Sequence, residues 1–162
     1  MPTKENKPQD GLYEANEIAR YFIRIASEQE VGEDNGKKEY EGITHLKLQK
    51  LLYFAQVYFL VNKGVAAFKE DMEAWKHGSV VREVYDKYKR TEGFLEDKEG
   101  EINIADEDKE LLDSVWEFYG KYSAWKLVDI IHNQKPWIDA FKNGQGVIEK
   151  KVLQEYYKDL VE

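Results

Sequence analysis

The side chains able to do chemistry are few and scattered. The three histidines, His45, His77 and His132, lie in separate segments. None is followed by a second histidine at H-x-x-x-H spacing or a carboxylate at H-x-x-E spacing, the patterns that put two metal ligands on one helix face. There is no cysteine, which removes thiolate catalysis, thiolate metal sites and disulfides. Adjacent carboxylates occur at Glu70-Asp71, Glu96-Asp97 and Asp106-Glu107-Asp108, within charged stretches. A catalytic pair needs surroundings that drive two pKa values apart, and solvated runs do not supply them. Ser79 and Ser123 stand where helix caps are expected, outside any G-x-S-x-G motif. Gly144-Gln145-Gly146 lacks the third glycine and the preceding strand of a dinucleotide fingerprint, and no P-loop is present. No enzyme activity, metal site or cofactor is expected.

Polar residues concentrate in one segment instead. Lys47, Gln49 and Lys50 follow His45 within two turns, and Lys87, Lys89 and Arg90 form a second basic group. No recognition-helix pattern gathers several donors on one exposed face. The net charge of −8 also opposes general polyanion binding, because phosphate neutralisation supplies most of that affinity. Nucleic acid is therefore not an expected partner, and a DNA-binding autoregulator is kept only as an alternative.

The elements that position these residues follow from apolar spacing. Ile18, Phe22, Ile25 and Ala19, Ile23, Ala26 predict a helix from Leu12 to about Glu30. Residues 1–11 read as a flexible lead-in to a domain spanning 12–162. Val31 to Gly42 is charged, glycine-bearing and aperiodic, and reads as a mobile loop. Thr44 caps a central helix with Leu48, Leu51, Leu52, Ala55 and Phe59 in a stripe, stopped at Gly64. Tyr53, Phe54, Val57, Tyr58 and Leu60 widen its apolar surface, so it is contacted on more than one side. A small hairpin is expected within Val65–Lys76, and Gly78-Ser79 enters a helix carrying Val80, Val81, Val84, Tyr85 and Tyr88. A short strand is expected at Ile102-Asn103-Ile104. Four further signals define the rest: acidic residues at 106–108, Gly120 as a stop, Ser123 as a cap, and Pro136 in a first turn. A last helix runs from about Ile148 to Leu160. The sum is a compact, mainly α domain of six or seven helices with a small β-hairpin.

Composition agrees. A chain of 162 residues buries roughly 70% of its unfolded surface. Its 4 Trp, 11 Tyr and 7 Phe argue for a folded core despite 35% charged residues. No apolar run approaches the ~20 residues of a membrane span, and Met1–Lys7 has no hydrophobic stretch behind its charges. A cytoplasmic protein with no membrane partner is expected.

Three stretches stop looking generic. Thr44-His45-Leu46-Lys47-Leu48-Gln49-Lys50-Leu51-Leu52-Tyr53-Phe54-Ala55-Gln56 resembles the opening motif of the Panacea, or SocA-like, antitoxin domain, also known as a phage-associated GepA-type domain. Ala74-Trp75-Lys76-His77-Gly78-Ser79-Val80-Val81, then Val84-Tyr85, is similar to that family's A-W-K-x-G-P-V-V stretch, with Ser79 in place of proline. Tyr119-Gly120, Ser123-Ala124, Leu127, His132 and Pro136-Trp137 follow in the family's order, and the resemblance runs from about Leu12 to Tyr157. It implies a mainly helical neutraliser, without a catalytic centre, that binds a cognate protein toxin directly. Small alarmone-synthetase toxins and other nucleotide- or RNA-directed toxins are among the implied partners. One branch implies an adaptor role that delivers the toxin to a protease. Oligomeric state is left open.

Within these motifs Leu48, Leu51, Leu52 and Trp75 are expected in the core, with Gly78, His132, Pro136 and Trp137 as structural positions. Lys47, Gln49, Lys50, Tyr53, Lys76 and His77 are expected to line a partner-binding groove. Replacing Lys47 and Lys50 should then spare folding and weaken neutralisation. An acidic domain suits a basic toxin cleft, since complementary charge raises the association rate.

Overall fold

The computed structural model describes residues 10–40, 42–144 and 146–161. The expected lead-in at 1–9 lies outside the described residues; Gly11, its last position, is packed against the backbone of Phe68 and Lys69. The described residues form seven helices and two two-stranded antiparallel hairpins. The helices are α1 (Ala15–Glu28), α2 (His45–Lys63), α3 (Arg82–Tyr88), α4 (Asp106–Tyr119), α5 (Ala124–His132), α6 (Lys135–Lys142) and α7 (Lys150–Val161). The hairpins are β1 (Glu30–Asp34) with β2 (Lys37–Tyr40), and β3 (Met72–Trp75) with β4 (Gly78–Val81). The mainly α architecture is as expected, and no described helix is long and apolar enough to cross a membrane.

Helix α2 is the axis of the molecule. Thr44 accepts a hydrogen bond from the Lys47 N–H at 3.3 Å, and Gly64 ends the helix at φ +71°. Helices α1, α4, α5 and α7 and strand β4 all pack against it. Apolar residues on every side, from Leu48 to Leu60, are therefore buried, with Tyr58 partly so. Its buried polar side chains serve the irregular backbone around it. Gln56 accepts from the Ala67 and Phe68 N–H groups at 2.7 and 3.3 Å and donates to the Phe68 carbonyl at 3.1 Å. A buried backbone that is neither helix nor sheet needs such partners, because each unmet group costs about 1–3 kcal/mol.

Four expectations need correction. Residues 31–42 are not a featureless loop. Asn35 and Gly36, at φ +51° and +79°, form a two-residue turn that pairs Asp34 with Lys37. Asn-Gly is a favoured hairpin turn because both residues tolerate positive φ, and this local signal outweighs the missing hydrophobic alternation. The second hairpin begins and ends later than expected. Lys76 and His77 make its turn, and Gly78-Ser79-Val80-Val81 is its second strand rather than a helix entry. Ser79 therefore caps nothing, and α3 starts at Arg82. The other edge of β3 is occupied as well: the Ala74 N–H donates to the Gly146 carbonyl at 3.0 Å, and the Ile148 N–H to the Met72 carbonyl at 2.8 Å.

The segment Ile102–Ile104 is not a strand. Its surroundings are tied to α1 by side chains instead. The Asn103 N–H donates to Glu17 at 2.8 Å, and Arg20 and Arg24 donate to Asp97 at 3.0 and 2.6 Å and to nearby carbonyls. Two carboxylates assigned to solvated runs are in fact buried. The Asp97 side chain is 2% exposed, and Asp108 accepts from the Tyr13 hydroxyl at 2.5 Å and pairs with Lys63. Burial alone would raise the Asp97 carboxyl, but the hydrogen bonds from both arginines and from the Glu99 N–H outweigh it and hold it below the usual range.

Candidate functional site

The amino-terminal half of α2, the β3–β4 hairpin and α3 enclose an open pocket of about 290 Å³. Helical spacing puts His45, Leu46, Gln49 and Lys50 on one wall. Trp75, Lys76, His77 and Val80 of the hairpin form the second wall, and Tyr85 of α3 closes the third side.

Gln49 welds the two main walls together. Its Oε1 accepts from the Val81 N–H at 2.8 Å and its Nε2 donates to the Val81 carbonyl at 3.3 Å, so the side chain stands in for a neighbouring strand. The same Nε2 lies 3.0 Å from His45 Nε2. A donating amide there assigns the ring proton to Nδ1. Burial lowers the His45 pKa, helped by the charge of Lys50, so the ring is neutral at pH 7. It packs against Tyr85 and Tyr88, with centroids 5.6 and 6.3 Å away.

Lys50 lies beneath the hairpin with no exposed surface, and its Nζ donates to the Ser79 carbonyl at 2.6 Å. No carboxylate pairs with it among the described residues. Desolvation therefore pushes its pKa down to about 7. Gly78 makes room for this chain. Its φ is +101°, and a Cβ there would sit 3.1–3.2 Å from Lys50 Cε, Cδ and Nζ. The adjacent Ser79 Oγ is buried without a hydrogen-bond partner.

Trp75, expected in the core, is only half-buried and forms pocket wall. Its indole N–H donates to Glu73 at 3.3 Å, Tyr85 meets it edge-on at 4.9 Å, and the Arg82 guanidinium lies over the ring at 5.5 Å. Arg82 is fixed there by two bonds to Glu73 at 2.9 and 3.0 Å. The third motif supports this wall from behind. The Trp137 indole N–H donates to the Trp75 carbonyl at 3.0 Å, and its ring packs on His132 at 4.2 Å. His132 Nε2 is buried with no hydrogen-bond partner among the described residues, and Pro136 is buried in the first turn of α6.

Of the six groove candidates, Gln49, Lys50, Lys76 and His77 meet at this pocket. Lys47 and Tyr53 do not line it. Lys47 is buried elsewhere, its Nζ over Trp116 at 5.3 Å and donating to the Gly120 carbonyl. The buried Tyr53 hydroxyl donates to Gln134 Oε1 at 2.5 Å, an acceptor shared with Tyr157 at 2.7 Å. Leu48, Leu51 and Leu52 are fully buried. The expectation that Lys47 and Lys50 can be removed without harm to the fold does not survive their burial: either change strips a hydrogen bond from a buried carbonyl.

Sequence reasoning did not single out Tyr85 or Trp125. Tyr85 carried a legible signal, as the residue after Val84 in the second motif. Trp125 carried none beyond its type: it is 58% exposed and stands edge-on to His77 at 5.1 Å. In the other basic group, Lys87 pairs with Glu99 at 3.0 Å and Lys89 with Asp86 at 3.6 Å, so both cations are partly neutralised within the chain. No cluster of three or more potential metal-ligating side chains occurs among the described residues.

Comparison with known proteins adds a lineage to this geometry. The family described as antitoxin SocA-like, Panacea domain, matches residues 48–138, more than half of the 162. A relative named Antitoxin SocA, from Caulobacter vibrioides (strain NA1000 / CB15N), is 36% identical over an alignment covering 64% of this chain. The alignment spans 62% of that relative's own length. No solved structure matches the chain. The matched region contains most of the pocket's lining, both strands of the second hairpin and the Trp137 support beneath them, and the chain belongs to the SocA-like Panacea-domain antitoxin family.

Proposed function

We propose that this protein is an antitoxin that neutralises a cognate protein toxin by binding it directly. One observation carries the reading: two motifs far apart in sequence converge on a single open pocket whose rim carries Lys76 and His77, both exposed. The three histidines and Ser79 form no nucleophile–base pair, and the pocket wall is mostly apolar and aromatic. Such a surface suits holding a partner rather than turning over a substrate. The net charge of −8 lets faces of the molecule outside the pocket attract the basic surface of a toxin. A toxin directed at nucleotides or RNA, with a basic cleft, is the class that fits.

Co-expression with the small open reading frame adjacent to its gene tests this. Growth should be restored, and the two proteins should co-purify at unchanged toxin level in a strain lacking its ATP-dependent proteases. Persistent toxicity refutes the antitoxin role. Rescue that disappears with the proteases replaces direct neutralisation by an adaptor mechanism.

A further inference from the structure

The pocket does not share the acidic character of the chain. The whole chain carries −8, yet the ionisable side chains lining the cavity are His45, Lys50, Lys76 and His77, without a carboxylate. Inside, most of the polar side chains are already engaged. Gln49 is saturated by Val81 and His45, Lys50 donates to Ser79, and the Trp75 indole donates to Glu73. A lysine or arginine head entering here would find no carboxylate, only neutral acceptors such as the Tyr85 hydroxyl, and would meet the Lys76 charge at the mouth. At the mouth, Lys76 makes no ion pair with any described residue, and Trp125 extends the aromatic wall outward beyond His77. A cavity of about 290 Å³ lies at the small end of ligand sites, the size of one large side chain rather than of a cofactor.

We propose that this pocket receives one apolar side chain of the protein partner, flanked in the partner's own sequence by carboxylates that Lys76 and His77 hold at the rim. The inference rests on the direct-binding reading above and names its contact. Burial of the apolar side chain against Trp75, Val80 and Tyr85 supplies the affinity, and the Lys76 ammonium at the rim selects an acidic over a basic segment. The exposed Trp125 covers the bound backbone from the α5 side.

Two arms test it with the full-length protein. In the first, ¹⁵N spectra are recorded while acetylated Asp-Trp-Glu, Asn-Trp-Gln and Lys-Trp-Lys peptides, or an eight-nucleotide single-stranded DNA, are added. The acidic peptide should shift the Trp75 and Trp125 indole signals at millimolar concentration. Binding should be at least fivefold weaker for the uncharged peptide and for the Lys76→Glu/His77→Glu variant, and absent for the basic peptide. Equal binding of the three peptides, no binding of any, or tighter binding of the oligonucleotide overturns the proposal. In the second arm, the same variant, with an unchanged melting temperature, should lose at least tenfold in toxin capture. Full capture by the folded variant overturns the assignment of this pocket while leaving the antitoxin reading intact. Failure of the wild type to capture the toxin removes that reading, and the peptide arm then still decides what the pocket accepts.

Discussion

Lys50→Met isolates an electrostatic cost written into the fold. Unfolded, the lysine titrates near 10.5; in the native protein burial brings it down to about 7. Between those two values the unfolded chain holds a proton that the native protein has given up, so stability rises with pH. The penalty is fully present below about pH 7 and fades as pH climbs through 10.5. Integrating the two titrations between pH 7 and pH 9.5 gives a gain of about 3 kcal/mol for the wild type, on the basis that each full proton of difference is worth about 1.4 kcal/mol per pH unit. Methionine fills most of the same space, one atom shorter, and removes the charge, at the cost of an unmet Ser79 carbonyl, about 1–3 kcal/mol at every pH. Urea unfolding of both proteins at half-unit pH steps provides the difference curve, in which other titrating groups cancel. The wild type should gain on the variant steadily from pH 7 to 9.5 and change little below pH 6. A flat difference across that window would falsify the claim that Lys50 is desolvated without a counter-charge.

Gly78→Ala should lose about 2 kcal/mol, read as a lower urea midpoint, because alanine must adopt φ +101° and crowd the Lys50 chain. Asp97→Asn removes the charge and one of the two acceptor oxygens that tie the 95–100 segment to Arg20 and Arg24, and should cost about 2–3 kcal/mol at pH 7. Because the carboxyl is held below its usual 3.8, its contribution is present above that value and lost as pH falls through the lower native pKa. The gap between wild type and variant should therefore narrow below pH 3.8, and a gap unchanged into stronger acid would contradict the pairing. Gly36→Val forces φ +79° on a β-branched residue in the first hairpin turn. Amide exchange across residues 30–40 should accelerate while that of α2 stays the same; equal protection in both proteins would dismiss the two-residue turn.

Capping chemistry and helical period were legible in the sequence because both are local. The Thr44 and Ser123 caps, the Gly64 stop and the acidic first turn of α4 each depend on residues within one or two turns. The apolar stripe of α2 announced a helix contacted on several sides, and Leu48, Leu51 and Leu52 are buried as that stripe required. Where a short segment satisfies two local rules, its pairing partner in the fold decides between them. Gly78-Ser79 looked like the entry to the following helix, and only its pairing with Ala74 and Trp75 shows a strand.

The fate of the polar residues was decided by tertiary structure alone. Nothing within a few residues of Lys47, Gln49, Lys50 or Asp97 tells whether each faces water or a buried partner. Those partners, Gly120, Val81, Ser79 and the Arg20–Arg24 pair, lie 29 to 77 positions away in the chain. A polar side chain is buried only where a distant donor or acceptor meets it, so its burial is a property of the assembled fold. Local sequence signals determined most of the helices, the Thr44 and Ser123 caps and the family motifs. Tertiary packing decided which motif residues hold the hairpin down, and which two, Lys76 and His77, stay exposed at the pocket rim.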